Sequence, residues 1–199
     1  MGERPGLIVL DRDGVLNQTV PNPAEPRPDS PLRAAEVAVF PWVPAALRRL
    51  HAAGFGLVVA SNQPAAAKGK ATRAALDEVH RVIVTAAESA GAVILSSHVC
   101  FHRAEDGCAC RKPGTGLLEE AFARHARFAR ESSWMVGDRA TDVLAGAALG
   151  LRTALLGGGG ADGARWLADE EAALRARQVQ PSYRGTDLRD FTDHVLESK

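Results

Sequence analysis

Three short apolar runs in this chain each stop on a tight cluster of polar residues. LIVL precedes Asp11-Arg12-Asp13-Gly14-Val15-Leu16-Asn17, VVA precedes Ser61-Asn62-Gln63, and WMV precedes Gly137-Asp138-Arg139-Ala140-Thr141-Asp142. Apolar runs this short and continuous mark strands buried on both faces, the condition of a parallel sheet covered by helices. Such a sheet presents its polar loops at the carboxyl ends of its strands, where ligands bind.

The rest of the chain fits this scheme. Strands expected at Leu7 to Leu10, Gly56 to Ala60, Val93 to Val99, Ser133 to Val136 and Thr153 to Leu156 alternate with helices at Val43 to Ala53, Thr72 to Ala90, Gly116 to Ala129 and Thr141 to Leu149. Gly54, Gly91 and Gly150 stand where three of the helices would close. The expectation is an α/β, Rossmann-like parallel sheet with helices on both faces, in one domain over residues 1–199 with its core at about 7–156. After Leu156 the glycines at 157–160 should be flexible, and residues 161–199 should form two peripheral helices. The segment 21–31, PNPAEPRPDSP, cannot be helix or central strand, because proline fixes φ and lacks an N–H. It is an extended loop, either a passive linker or a cover over substrate.

Composition narrows the function. The 24 Lys and Arg balance 24 Asp and Glu, a net charge of +0, so nothing draws the chain to nucleic acid. No run approaches the roughly 18 apolar residues of a membrane span, and the charges flanking LIVL are wrong for a signal peptide. All 3 cysteines fall between positions 100 and 110, which argues against a disulfide framework and points to a metal site. A reduced, cytoplasmic, monomeric protein is expected.

The polar clusters carry the chemistry. Asp11 and Asp13 sit at a strand end with Gly14 turning the chain away, so one carboxylate can attack phosphorus while the other manages a proton. The same residues also describe an ordinary turn. Ser61 and the amides after it can hold phosphate oxygens, and Arg111-Lys112-Pro113 offers a guanidinium fork and a point charge. Alone, these are a turn and a solvated basic pair. Asp138 can join Asp11 around Mg²⁺, with Asp142 behind it or capping the next helix. Cys100, His102, Cys108 and Cys110 form the Cys₃His set of a closed, structural Zn²⁺ site in the loop 100–113. A redox pair is the lesser alternative, since Cys-x-Cys lacks the two-residue gap of such motifs. His51, His80, His98, His125 and His194 read as ordinary residues with no partner visible in sequence.

The order Asp-x-Asp, Ser, Lys, Gly-Asp resembles the haloacid dehalogenase-like superfamily of phosphatases, on DRDGVLN, SNQ, RKP and GDRATD across about residues 7–156. The resemblance implies phosphomonoester hydrolysis through an aspartyl-phosphate on Asp11, with Asp13 as acid and then base. It also implies Mg²⁺ held by Asp11, the backbone carbonyl of Asp13 and Asp138, and a phosphoryl group steadied by Ser61 and Lys112. The intervals between motifs are too short for an inserted cap domain. Together with the cysteine loop, this is similar to the zinc-loop subfamily that includes D-glycero-D-manno-heptose 1,7-bisphosphate 7-phosphatases and histidinol-phosphate phosphatases. DRDGVLN and Gln63 with Ala67-Lys68-Gly69-Lys70 lean to the former, and GDRATD with Arg139 to the latter. The implied partner is a small phosphorylated metabolite, with Asn62, Gln63, Arg111 and Arg139 as substrate contacts. The heptose enzyme is the leading expectation, although PNPAEPRPDSP departs from its pattern. A zinc-stabilised interaction module with a degenerate site would lack an acidic motif residue, and a dehalogenase would lack Asp13.

Overall fold

The structure, a computed structural model, describes residues 5–23, 26–158 and 161–198, with only backbone described at 161–165. Gly159 and Gly160 of the expected flexible run lie outside the described residues. The elements are β1 (Leu7–Leu10), α1 (Val43–Ala52), β2 (Gly56–Asn62), α2 (Arg73–Ser89), β3 (Ile94–Cys100) and α3 (Gly116–Arg124), followed by β4 (Trp134–Gly137), α4 (Ala140–Ala148), β5 (Arg152–Leu156), α5 (Ala161–Ala176), β6 (Tyr183–Gly185) and α6 (Leu188–Glu197). They build one parallel sheet of 6 strands in the order β3-β2-β1-β4-β5-β6.

All four β1 side chains are fully buried, and their alternation divides the core in two. Ile8 and Leu10 pack with Leu47 and Leu50 of α1, Val79 and Ile83 of α2 and Phe191 of α6. Leu7 and Val9 face the opposite layer, with Leu117, Leu118 and Phe122 of α3 and Ala145 of α4. Each such side chain contributes roughly 1.5–3 kcal/mol by leaving water. Helices therefore cover both faces, as expected. Among the described residues no helix is long and apolar enough to cross a membrane.

From β1 the chain winds outward through β2 and β3, then returns to lay β4 on the other side of β1. That reversal opens a crevice at the carboxyl ends of β1 and β4, and the Asp11 N–H donates to the Val136 carbonyl at 2.9 Å across it. The ends of these two strands deliver Asp11 and Asp138 side by side.

Several expected boundaries need correction. β2 continues past Ala60 through Ser61 and Asn62, because β3 pairs with it as far as Cys100. α3 closes at Arg124 rather than Ala129; a turn follows, from which Phe128 folds back into the core of that face. β6 was not anticipated: it is a three-residue edge strand paired to β5 through Ala154 and Tyr183. α5 and α6 are the two expected terminal helices. The loop 21–31 is closed at its base by the backbone bridge between Val20 and Asp29.

Candidate active site

A cavity of about 450 Å³ opens at the carboxyl edge of the sheet, with Asp11, Asp13, Ser61, Lys112, Arg111 and Arg139 in its wall. The ends of β1, β2 and β4 and the turn before α3 thus bring the expected residues together. Asp138 lies beside them, lining a smaller adjoining cavity of about 40 Å³.

Lys112 is 2 % exposed. Its Nζ lies 2.9 Å from Asp11 Oδ1 and 2.6 Å from Asp142 Oδ1, and donates to the Ala60 carbonyl at 2.7 Å. Burial works against the ammonium, but Asp11 and Asp142 outweigh it and hold the Lys112 pKa above its ordinary value. Asn62, expected to touch substrate, lines the cavity and has a structural task as well. Its Nδ2 donates to the Lys112 carbonyl at 3.0 Å and its Oδ1 accepts from the Lys112 N–H at 3.1 Å, splinting the turn that carries the lysine.

Asp13 sits in a ring of donors. Arg12 reaches both carboxylate oxygens, from Nε at 3.2 Å and Nη2 at 3.1 Å, and Asn17 Nδ2 adds a bond at 2.9 Å. Gln63 Nε2 donates to Asp13 at 2.6 Å and to Ser61 Oγ at 3.0 Å. Burial would raise the Asp13 pKa, but the Arg12 guanidinium and these hydrogen bonds hold it below the ordinary carboxylate value. Gln63, also expected to contact substrate, is buried behind Asp13 and orients it. Arg12 and Asn17 were not singled out from the sequence. Arg12 is 1 % exposed, and its one sequence signal is its place between two carboxylates after a buried strand.

Asp142 Oδ2 accepts from the Arg139 N–H at 3.1 Å, the helix-capping role open to it from sequence. Burial, together with the nearby Asp11 charge, lifts its carboxyl to about 6 despite the pull of Lys112. Asp138 is pushed well above the ordinary range by burial, then by Asp11 and Asp142. Oxygens of these three carboxylates lie within 4.8 Å of one another, and Asp138 Oδ1 is buried without a hydrogen-bond partner among the described residues. An oxygen-only cluster crowded in this way, facing a single ammonium, suits a hard divalent cation.

Gly14 allows the cluster to close. Its φ is +84°, and a Cβ there would fall 2.2 Å from Asp138 Oδ2. Gly14→Ala should therefore displace Asp138, lowering kcat by at least about tenfold and stability by roughly 1–3 kcal/mol; steady-state kinetics and thermal melting check both.

The cysteine loop brings its four donors together. Cys110 Sγ lies 3.3 Å from Cys100 Sγ and 3.4 Å from Cys108 Sγ, Cys100 and Cys108 are 3.7 Å apart, and His102 Nδ1 is 3.3 Å from Cys110 Sγ. A tetrahedron with bonds of about 2.3 Å has sulfur edges of roughly 3.8 Å, so the set fits zinc. Away from the site, two histidines do find partners: Ser96 Oγ lies 2.8 Å from both His98 Nε2 and His125 Nε2.

Comparison with known proteins agrees with this geometry. Residues 109–191 match the family model described as HAD-hyrolase-like. A D-glycero-beta-D-manno-heptose-1,7-bisphosphate 7-phosphatase of Pseudomonas putida is 35 % identical over 158 residues, covering 75 % of this chain and 81 % of that one. The histidine biosynthesis bifunctional protein HisB of Legionella pneumophila is 36 % identical over 140 residues, covering 68 % of this chain but only 37 % of that protein's length. Among solved structures, the D,D-heptose 1,7-bisphosphate phosphatase of B. bronchiseptica, complexed with magnesium and phosphate, superposes with a TM-score of 0.79 at 29 % identity, covering 98 % of this chain and 99 % of that one. With two motif carboxylates, a buried lysine and a serine at the strand ends of this sheet, and with these relatives, the chain belongs to the haloacid dehalogenase-like phosphatases.

Proposed function

We propose that this phosphatase hydrolyses one phosphate of a sugar bisphosphate in the D-glycero-D-manno-heptose 1,7-bisphosphate class, as a single-domain cytoplasmic monomer. The observation that carries the substrate class is the charge inventory of the cavity wall away from Asp11. Lys68 and Arg111 both line it; Lys68 stands near Asp29, whose closer partner is Lys70, and the Arg111 guanidinium donates to the His102 carbonyl at 3.3 Å. The carboxylates there are already paired, Asp29 with Lys70 at 2.7 Å and Glu170 with Arg27. A second phosphate finds the Lys68 and Arg111 cations, whereas the ammonium of histidinol phosphate finds Asp29 and Glu170 already paired with Lys70 and Arg27. The heptose phosphatases among the relatives support the same reading.

In this reading Asp11 attacks phosphorus as the bond to the sugar oxygen breaks, and Asp13, which must carry a proton at this step against the pull of Arg12, delivers it to that oxygen. Asp13 then takes a proton from the water that cleaves the aspartyl-phosphate, acting in the ionised form that Arg12 favours. Lys112 and the Ser61 hydroxyl hold the phosphoryl oxygens, with Ser61 oriented by Gln63. Asp11, Asp138 and the Asp13 carbonyl would hold Mg²⁺, which offsets the repulsion between an anionic nucleophile and an anionic phosphate. Cys100, His102, Cys108 and Cys110 would hold a structural Zn²⁺.

Phosphate release from heptose 1,7-bisphosphate and from histidinol phosphate, with Mg²⁺ present, tests the reading. The expected preference for the bisphosphate is at least about 100-fold in kcat/KM, roughly 2.7 kcal/mol; preference for histidinol phosphate overturns it. Replacing Lys68 and Arg111 by alanine should raise KM for the bisphosphate about tenfold or more and leave a monophosphate much less affected.

A further inference from the structure

Helix α5 packs on α4 and β5 through Leu167 and Leu174, which meet Ala140, Val143 and Leu155 in a small third core. Glu170 lies between these leucines at helical spacing, so a carboxylate interrupts the apolar stripe of α5. It is 7 % exposed, and an ionised carboxylate in such a place is costly unless its oxygens find partners. Both do. Oε1 pairs with Arg27, and Oε2 accepts from the N–H of Ala140, the first residue of α4, at 2.6 Å.

The second contact answers a need of α4. Its N-cap residue is Arg139, and a guanidinium has no lone pair with which to cap an amide. Two carboxylates take the donors at the helix start instead. The Arg139 N–H goes to Asp142 Oδ2 at 3.1 Å, and the Ala140 N–H goes to Glu170, thirty residues along the chain. A cap supplied by another helix fixes where α4 begins as well as that it forms.

That starting point matters because the metal carboxylates are attached to it. Asp138 immediately precedes Arg139, and Asp142 stands in the first turn of α4. Neither has slack: a Cβ on Gly14 would fall 2.2 Å from Asp138 Oδ2, and one on Gly137 would fall 2.2 Å from Asp142 Oδ2. Mg²⁺ demands its oxygens at about 2.0–2.1 Å in near-ideal geometry, so a small displacement of α4 is felt at the cation site.

We propose that Glu170 is a positioning residue for the divalent-cation site: by capping α4 from α5, it holds Asp138, with Asp142 behind it, in the arrangement that takes the ion. The inference rests on Asp11 and Asp138 being the Mg²⁺ ligands.

Mn²⁺ binding to the purified protein, followed by electron paramagnetic resonance, tests it, with Asp138→Asn marking the site. The wild type should bind an Mn²⁺ ion that Asp138→Asn loses. Glu170→Ala should raise the Kd for Mn²⁺ at least about tenfold. Glu170→Gln keeps an oxygen for the Ala140 N–H, and Arg27→Gln removes only the other contact, so both should stay within about twofold of the wild type. With p-nitrophenyl phosphate as substrate, the half-activating Mg²⁺ concentration of Glu170→Ala should rise in parallel, while kcat at saturating Mg²⁺ changes less than about threefold. General loss of packing would not give weakened cation binding that a neutral oxygen restores. A smaller rise in Glu170→Ala, or binding as weak in Glu170→Gln or Arg27→Gln, overturns the proposal. If Glu170→Ala does not fold, Glu170→Asp decides the matter: the shorter side chain keeps the charge, draws back from Ala140 and should show the same loss. A wild type that binds no Mn²⁺ dependent on Asp138 refutes the metal reading itself, and the role of Glu170 with it.

Discussion

Asp11→Asn is expected to reduce kcat by at least about 10⁴-fold, more than 5 kcal/mol of transition-state stabilisation, without unfolding the protein. The amide has the shape of the carboxylate but cannot form the covalent intermediate. Its effect on stability follows from the crowding of Asp11, Asp138 and Asp142 around one lysine. Neutralising one of three clustered carboxylates relieves repulsion that now raises the pKa of the other two, while Lys112 keeps Asp142 at 2.6 Å. Melting temperature should stay level or rise by a few degrees. Phosphate release and thermal melting together decide the matter: retained turnover removes Asp11 as nucleophile, and a large fall in melting temperature means that its pairing with Lys112 dominates the local balance.

Removal of metal from the cysteine loop should have the largest effect on stability. Residues 103–107 are exposed, and their tie to the body of the protein is the Arg103 guanidinium donating to the Ala67 carbonyl, so little of the packed core holds this segment in place. Elemental analysis should find about one zinc per chain, and Cys110→Ser should remove it and lower stability by roughly 3 kcal/mol, about 6–12 °C in melting temperature for a domain of this size. Cys110 adjoins Arg111 and Lys112, and the Gly116 N–H bonds the Ala109 carbonyl at 3.1 Å to start α3. Releasing the loop should therefore also lower kcat, as the lysine loses its fixed position. Zinc-free protein of equal stability and activity would sink the structural role.

The parts of this protein that were legible in sequence are those set by local pattern. Buried strands that end in acidic or small polar residues disclosed the sheet, its open edge and the placing of Asp11, Ser61 and Asp138. What could not be read depends on partners distant in the chain. β6, the sequence YRG, has no apolar run and is a strand only because β5 lies beside it. Asn62 and Gln63 look like the tip of a turn, yet one splints Lys112 and the other bridges Asp13 and Ser61, contacts of about 50 residues' separation in three cases. Arg12 looks like a solvated charge, but its guanidinium is buried against Asp13. Glu170 would pass for one more surface carboxylate on a helix until Arg27 and the start of α4 are seen to meet on it. Hydrophobic period continued through residue 129, but helix α3 did not, because Phe128 reaches the core from a turn.

The two margins of the sheet carry a further consequence. A parallel sheet has two strands with an unpaired row of amides and carbonyls, and such rows recruit strands from other molecules. Here one margin is β6, only three residues long and bearing Arg184, which is paired with Glu171 at 3.3 Å. The other is β3, whose middle is Ser96-Ser97-His98 instead of a run of branched apolar side chains, with the Ser96 hydroxyl bridging His98 and His125 beside α3. Both margins are therefore poor templates for intermolecular pairing, which lowers the tendency of so apolar a sheet to recruit strands from other molecules.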